Sequence, residues 1–247
     1  MSVPAAAEEA IWHDVECGAY SADLPVWVEL ASRSGGPVLE LGAGTGRVSL
    51  RLAAEGLDVV ALDSSAILLE ELRRRGDAAG LELETVCADA RRLAIDRTFA
   101  AILAPMQLVH LLGGSERRQT LLKAVRRHLR PAGVLAAALL VDDAGTVAVG
   151  PSLPPLPDVR ELDGWIYSSL PIEVAAVPGG LEIRRLRQIV SPDGALTEAR
   201  ESIRLDHLSA DEFEAEAVRA GLARRERVEI AATEEHVGSV ICVLEVS

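Results

Sequence analysis

The chain has 247 residues, a formal net charge of −13 and a pI near 4.9, a balance that opposes binding to a phosphate backbone, which draws on clustered cations. Its longest apolar run, Val134 to Val141, is far short of a membrane span. The N-terminus has neither the basic start nor the apolar core of a secretion signal, so the cytoplasm is the expected compartment, and the three dispersed cysteines argue against a disulfide frame or a zinc site.

From Pro37 the sequence alternates apolar strands with helical spacing. "PVLELG" reads as a strand and "RVSLRLAAEG" as a helix with Gly56 at its end. "DVVALD" is the next strand, and "SSAILLEELRRRG" follows as a helix started by serine and stopped by Gly76. "LELETVCAD", "FAAILAP" and "VLAAALLV" are the third to fifth strands. The helix before the fifth carries Leu121, Val125 and Leu129 on one face and ends at Pro131 and Gly133. Strands separated by helices predict an α/β fold, a doubly wound Rossmann-like parallel sheet with helices on both faces.

Residues 142–164 are rich in Pro and Gly and read as a long connecting loop. Three alternating segments follow, joined by "PGG" and "SPDG", which predict an antiparallel β insertion. Ser209 and Glu212 then form a capping box for a last helix closed by Gly221, before two final strands.

The chemistry concentrates where the first strand turns into its helix. Gly42, Gly44 and Gly46 follow G-x-G-x-G, and Glu40 stands two residues ahead of them. An NAD-dependent oxidoreductase places a pyrophosphate on such a turn. An acid about 5 Å from a phosphate would cost on the order of 3 kcal/mol per charge, whereas a ligand carrying an amine and a sulfonium would be welcome. "LELGAGTGRVSLRLA" resembles the first motif of class I S-adenosylmethionine-dependent methyltransferases, of the branch that includes glycine and amino-sugar N-methyltransferases.

That resemblance implies a seven-strand methyltransferase sheet with S-adenosylmethionine as cofactor. It implies that Glu40, Gly42, Ala43, Gly44 and Gly46 contact or accommodate the methionyl part. Asp63, 21 positions after Gly42, would accept both ribose hydroxyls, with Ser64 and Ile67 beside the adenine. Asp89 would accept from the adenine amino group, and the Ala90 N–H would meet a ring nitrogen. Ala104, Pro105 and Met106 would floor the site under the methyl, beside Gln107 facing the substrate.

"APMQ" lacks the Asn/Asp-Pro-Pro-Tyr signature of the branches that methylate amide or base nitrogens, so a small-molecule acceptor and methyl transfer to nitrogen or oxygen are expected. His110 is the candidate base, or else a histidine that fixes the loop by hydrogen bonds. His13, Asp14 and Tyr20 form a second constellation: Tyr20 reaches the methionyl carboxylate or the substrate, or the segment is a surface helix docked by Trp12 and Trp27. Trp165 and Tyr167 are expected to line the substrate pocket. Arg184, Arg185 and Arg187 either bind an acidic substrate or pair with Glu198 and Glu201 across a hairpin.

The implied division is an N-terminal helical lid over 1–35, a cofactor-binding core over 36–142, a loop and substrate-covering β insertion over 143–206, and the last helix and strands over 207–247. A monomer or homodimer is expected. A catalytically silent cofactor-binding or scaffolding protein of the same fold is the alternative.

Overall fold

The computed structural model describes residues 5–140, 156–232 and 237–246, so the first part of the expected 142–164 loop lies outside the described residues. Two helices, α1 (Ala5–Cys17) and α2 (Leu24–Ser34), precede the first strand, β1 (Val38–Leu41). The alternation continues through α3 (Ser49–Ala54), β2 (Val59–Asp63), α4 (Ala66–Ala79), β3 (Glu84–Cys87), β4 (Phe99–Ala104), α5 (Ser115–His128) and β5 (Leu129–Leu140). Four strands follow, β6 (Asp158–Leu162), β7 (Trp165–Val177), β8 (Gly180–Val190) and β9 (Leu196–Asp206). The chain ends with α6 (Ala210–Arg219), β10 (Leu222–Ile230) and β11 (Ser239–Val246).

Seven strands form one sheet in the order β10-β11-β5-β4-β1-β2-β3. Pairing is parallel from β3 across to β5, while β11 runs antiparallel to both β5 and β10. Strand order reverses between β1 and β4, and the carboxyl ends of strands at such a reversal are where open α/β sheets bind ligands. β1, β2 and β4 are buried along their whole length, which explains why they are apolar apart from Glu40 and Asp63. One face of the sheet packs against α5 and α6 through Leu121, Val125, Phe213 and Ala217. The other packs against α2 and α3 through Trp27, Leu30, Val48 and Leu52.

β6 to β9 form a separate antiparallel sheet in chain order. β6 occupies a stretch expected to be loop. Asp163 and Gly164 both have positive φ, 49° and 79°, so they make the tight two-residue hairpin that returns the chain into β7. Gly76, expected to stop its helix, lies inside α4, which ends instead at Gly80 with φ 67°. A Cβ at Gly76 would meet Leu83 Cδ2 at 3.1 Å, so this glycine serves close packing. The capping box of α6 forms as expected, with both Ser209–Glu212 bonds present.

A buried ionic node joins the two sheets near β9. Arg118 of α5 donates to both carboxylate oxygens of Glu216 at 2.8 and 2.9 Å, and to Asp206 at 2.8 Å. Asp206 also accepts from the Gly114 N–H at 2.6 Å. Removing the guanidinium leaves the buried Glu216 carboxylate and the half-buried Asp206 carboxylate without their shared cation. Arg118→Ala is therefore expected to lose about 3–5 kcal/mol of unfolding free energy in a denaturant titration, the range for breaking a buried pair from one side.

Candidate active site

The turn after β1 is built on three left-handed glycines, with φ of 69° at Gly42, 56° at Gly44 and 98° at Gly46. The Gly44 N–H donates to Asp63 Oδ2 at 2.9 Å, which ties the turn to the end of β2. Asp63 Oδ1 accepts from the Ser65 N–H at 2.9 Å. Each carboxylate oxygen accepts about two hydrogen bonds, so each retains a lone pair for a ligand hydroxyl. Ala43 is buried within the turn, Ser64 is exposed and Ile67 half-buried at the start of α4.

Glu40 lies within β1, fully enclosed, and accepts from the Ser49 hydroxyl. Burial pushes its carboxyl up to about 8, against the opposing pull of Ser49 and Arg47, so it is mostly protonated at neutral pH. The expectation that a Glu40 charge repels a pyrophosphate is thereby corrected, because burial removes the charge.

The helix α1 lies on this turn. Asp14 is buried and accepts from the Thr45 hydroxyl at 2.6 Å, from Arg75 of α4 and from Arg160 of β6 at 2.5 Å. Burial raises its carboxyl, but these partners outweigh burial and hold it below the usual range. Glu9 accepts from the Ser65 hydroxyl at 2.7 Å, beside Asp63. Glu16 accepts from Ser169 at 2.8 Å and from Arg187 at 2.8 and 3.0 Å. One helix thus joins the glycine turn to the antiparallel sheet.

Several side chains stand elsewhere than the sequence suggests. Tyr167 is fully buried edge-on against Trp12, with ring centroids 5.6 Å apart, and Trp165 packs beside them. These aromatics seat α1 on the second sheet, whereas Trp27 packs against the first. Tyr20 lies under the Arg47 guanidinium, 5.3 Å from its ring centroid, and shares a side-chain hydrogen bond with Ser239. Arg47 in turn grips Asp23 at 2.5 and 2.9 Å, so Tyr20 anchors the segment before α2. Arg184 pairs with Glu173 and Glu182, Arg185 with Asp158, and Arg187 with Glu16, rather than with Glu198 and Glu201.

Asp89, at the end of β3, is held in a two-pronged pair by Arg91. That guanidinium lowers its carboxyl to about 2. The acid also accepts from the Arg91 N–H at 2.9 Å and so caps the short helix over Ala90–Arg92. An adenine amino group would share these lone pairs with Arg91, a competitor adjacent in sequence that the strand-end spacing did not reveal.

Beyond β4, Ala104 and Pro105 are buried and Met106 has φ 56°. A left-handed non-glycine costs on the order of 1 kcal/mol, and such residues cluster at functional sites. Gln107 is half-buried and opens the short helix Leu108–His110. His110 is not poised as a base, because both ring nitrogens are committed to backbone. Nδ1–H donates to the Asp206 carbonyl at 2.9 Å, and Nε2 accepts from the Leu140 N–H at 3.2 Å. Burial lowers its pKa, so the ring is neutral and pins this loop to the ends of β5 and β9.

Residues 38–133 match the family model described as a methyltransferase domain. A curated relative, the cypemycin N-terminal methyltransferase of a Streptomyces species, is 35% identical over 113 residues, covering 45% of each chain. The glycine/sarcosine N-methyltransferase of Halorhodospira halochloris is 37% identical over 110 residues, 43% of this chain and 41% of its own. These matches span less than half the length of either relative. An S-adenosylmethionine-bound amino pentose methyltransferase from Micromonospora echinaspora superposes with a TM-score of 0.71, 18% identity and coverage of 100% of this chain and 98% of its own, which establishes the fold.

The protonated Glu40 has a consequence for stability. Its folded pKa stands above the unfolded value of 4.5, so the native state holds an extra proton between pH 4.5 and about 8. Stability from this group is complete below the lower value and is lost as pH rises through the upper one. Glu40→Gln is expected to flatten the fall of melting temperature across that window, measured by calorimetry alongside the wild-type chain.

Proposed function

We propose that this chain, whose residues 38–133 belong to the methyltransferase domain family, transfers the methyl group of S-adenosylmethionine to a nitrogen or oxygen of a small molecule in the cytoplasm. The observation that carries the reading is the left-handed glycine turn bonded through Gly44 to Asp63 at the reversal point of the sheet. Two relatives named for N-methylation favour nitrogen. The net charge of −13 favours a small molecule over a nucleic acid.

When bound, S-adenosylmethionine supplies a methyl group activated on a sulfonium. The side-chain-free positions 42, 44 and 46 let the backbone approach the methionyl part. Asp63 spends its two remaining lone pairs on the ribose hydroxyls, and Asp89 offers the adenine end an acceptor shared with Arg91. Ala104, Pro105 and Met106 floor the site, and Gln107 faces the acceptor. Methyl transfer is an in-line displacement at carbon, so the protein's main contribution is to hold the nucleophile about 3 Å from the methyl. An amine that arrives neutral needs no base, which agrees with the commitment of His110 to backbone.

Isothermal calorimetry with S-adenosylhomocysteine tests the reading, and no binding up to millimolar concentration would end it. Asp63→Ala is expected to weaken that binding by about 1–3 kcal/mol through lost hydrogen bonds to a charged acceptor. Turnover is then sought across a panel of small amines and alcohols, with methylated product detected by mass spectrometry.

A further inference from the structure

A cavity of about 390 Å³ opens between the short helix over Ala90–Arg92 and the start of α5, lined by Asp89, Arg91, Arg92, Arg117 and Thr120. Three of those five side chains are guanidiniums, in a chain whose net charge is −13. The one acid is already committed, since both Asp89 oxygens accept from Arg91 through its Nε and Nη2. That pair leaves the Nη1 donors of Arg91 without a protein partner among the described residues.

The other two cations are less well matched. Arg47, Arg75 and Arg118 each hold a carboxylate, whereas among the described residues neither Arg92 nor Arg117 has one within ion-pair distance. Arg117 makes only a 3.5 Å approach to the Leu112 carbonyl. It also lies in the first turn of α5, where the positive end of the helix dipole disfavours a cation. Like charges thus gather around one cavity, and no protein group offsets them. The Thr120 hydroxyl gives its proton to the Glu116 carbonyl at 2.9 Å, so its oxygen is left to accept.

We propose that this cavity binds a phosphate group, free or as the monoester of a small metabolite, through Arg91, Arg92 and Arg117. A carboxylate brings one charge and two oxygens, enough for a single guanidinium fork. A phosphate near neutral pH brings close to two charges and at least three acceptor oxygens, which matches three forks converging from two elements. The Thr120 oxygen suits a hydroxyl of the ligand. The acidic remainder of the chain opposes a polyphosphate backbone and leaves a single group as the guest. The site is separate from the glycine turn and does not rest on the methyltransferase reading. It touches that reading at one residue, because Arg91 is also the partner of Asp89.

Calorimetric titration at constant ionic strength tests the site with neither methyl donor nor acceptor present. Inorganic phosphate is the probe in one arm and glucose 6-phosphate in the other, at about pH 7.5, above the second ionisation of the ester. Binding in the millimolar range or tighter is expected in at least one arm. Tighter binding of the inorganic ion assigns free phosphate, tighter binding of the ester assigns a phosphorylated metabolite, and equal affinity assigns recognition of the phosphate group alone. Arg92→Ala and Arg117→Ala, both at exposed positions that the fold tolerates, are each expected to weaken binding about tenfold through a lost charged hydrogen bond. Arg127→Ala, at an exposed arginine near the other end of α5, is expected to leave it unchanged. No binding in either arm overturns the proposal. So does full affinity in both cavity variants, which places the anion elsewhere, or an equal loss in Arg127→Ala, which reduces the effect to general attraction.

Discussion

The bond from the Gly44 N–H to Asp63 Oδ2 is the constraint on which the site is built. Parallel strands β1 and β2 bring their carboxyl ends side by side, with Leu41 opposite Leu62, so the turn after one lies within reach of the acid that ends the other. Glycine accepts the left-handed conformation that points the Gly44 N–H at that acid; a β-branched residue there would be strained. Once the turn is fixed, Thr45 presents its hydroxyl outward to Asp14, and α1 has a seat.

That seat makes α1 a coupler between two sheets. Asp14 bonds the glycine turn, α4 and β6 at once, and Glu16 two residues later bonds β7 and β8. Between them Trp12 and Tyr167 bury their rings edge to face, a contact worth about 0.5–1.5 kcal/mol beyond area burial. Arg187 adds a cation–π contact, 5.0 Å above the Trp12 ring. A displacement of α1 must therefore move the second sheet or break these bonds. The Arg118 node, which holds Asp206 of β9 and through it His110, ties the same second sheet to the loop after β4.

Local signals in the sequence carried much of this. Strand–helix alternation, the glycine turn after the first strand and the Ser209–Glu212 box each depend on neighbours within one or two elements, and each has its expected form. Asp163-Gly164 is an equally local hairpin signal, masked by the Pro-rich stretch before it, which reads as loop. The ion pairs were not legible. Arg187 lies 171 positions from Glu16, and no periodicity distinguishes that partner from Glu198 on the adjacent strand. Trp165 and Tyr167 suggest a pocket because aromatic residues are scarce, whereas a chain with few of them also spends them on a long-range helix contact. His110 was the right residue for its loop, but its role depends on Asp206 and Leu140, placed there only by the tertiary fold.

Selectivity at the glycine turn has a different origin from the one Glu40 suggests. A fully buried acid with a pKa of about 8 presents little charge to a ligand at neutral pH, so it neither repels a phosphate nor attracts a sulfonium strongly. Its hydrogen bond with Ser49 holds the start of α3 against β1, which is a structural task. The carboxylate left at the ligand face is Asp63, with Asp14 behind Thr45 already neutralised by Arg75 and Arg160. Arg75 is itself shared with Glu71, so it has little charge to offer a pyrophosphate. A nucleoside with two hydroxyls and a cationic tail matches one carboxylate better than a pair of phosphates does. The preference therefore arises at the end of β2 and is transmitted to the turn through the Gly44 amide.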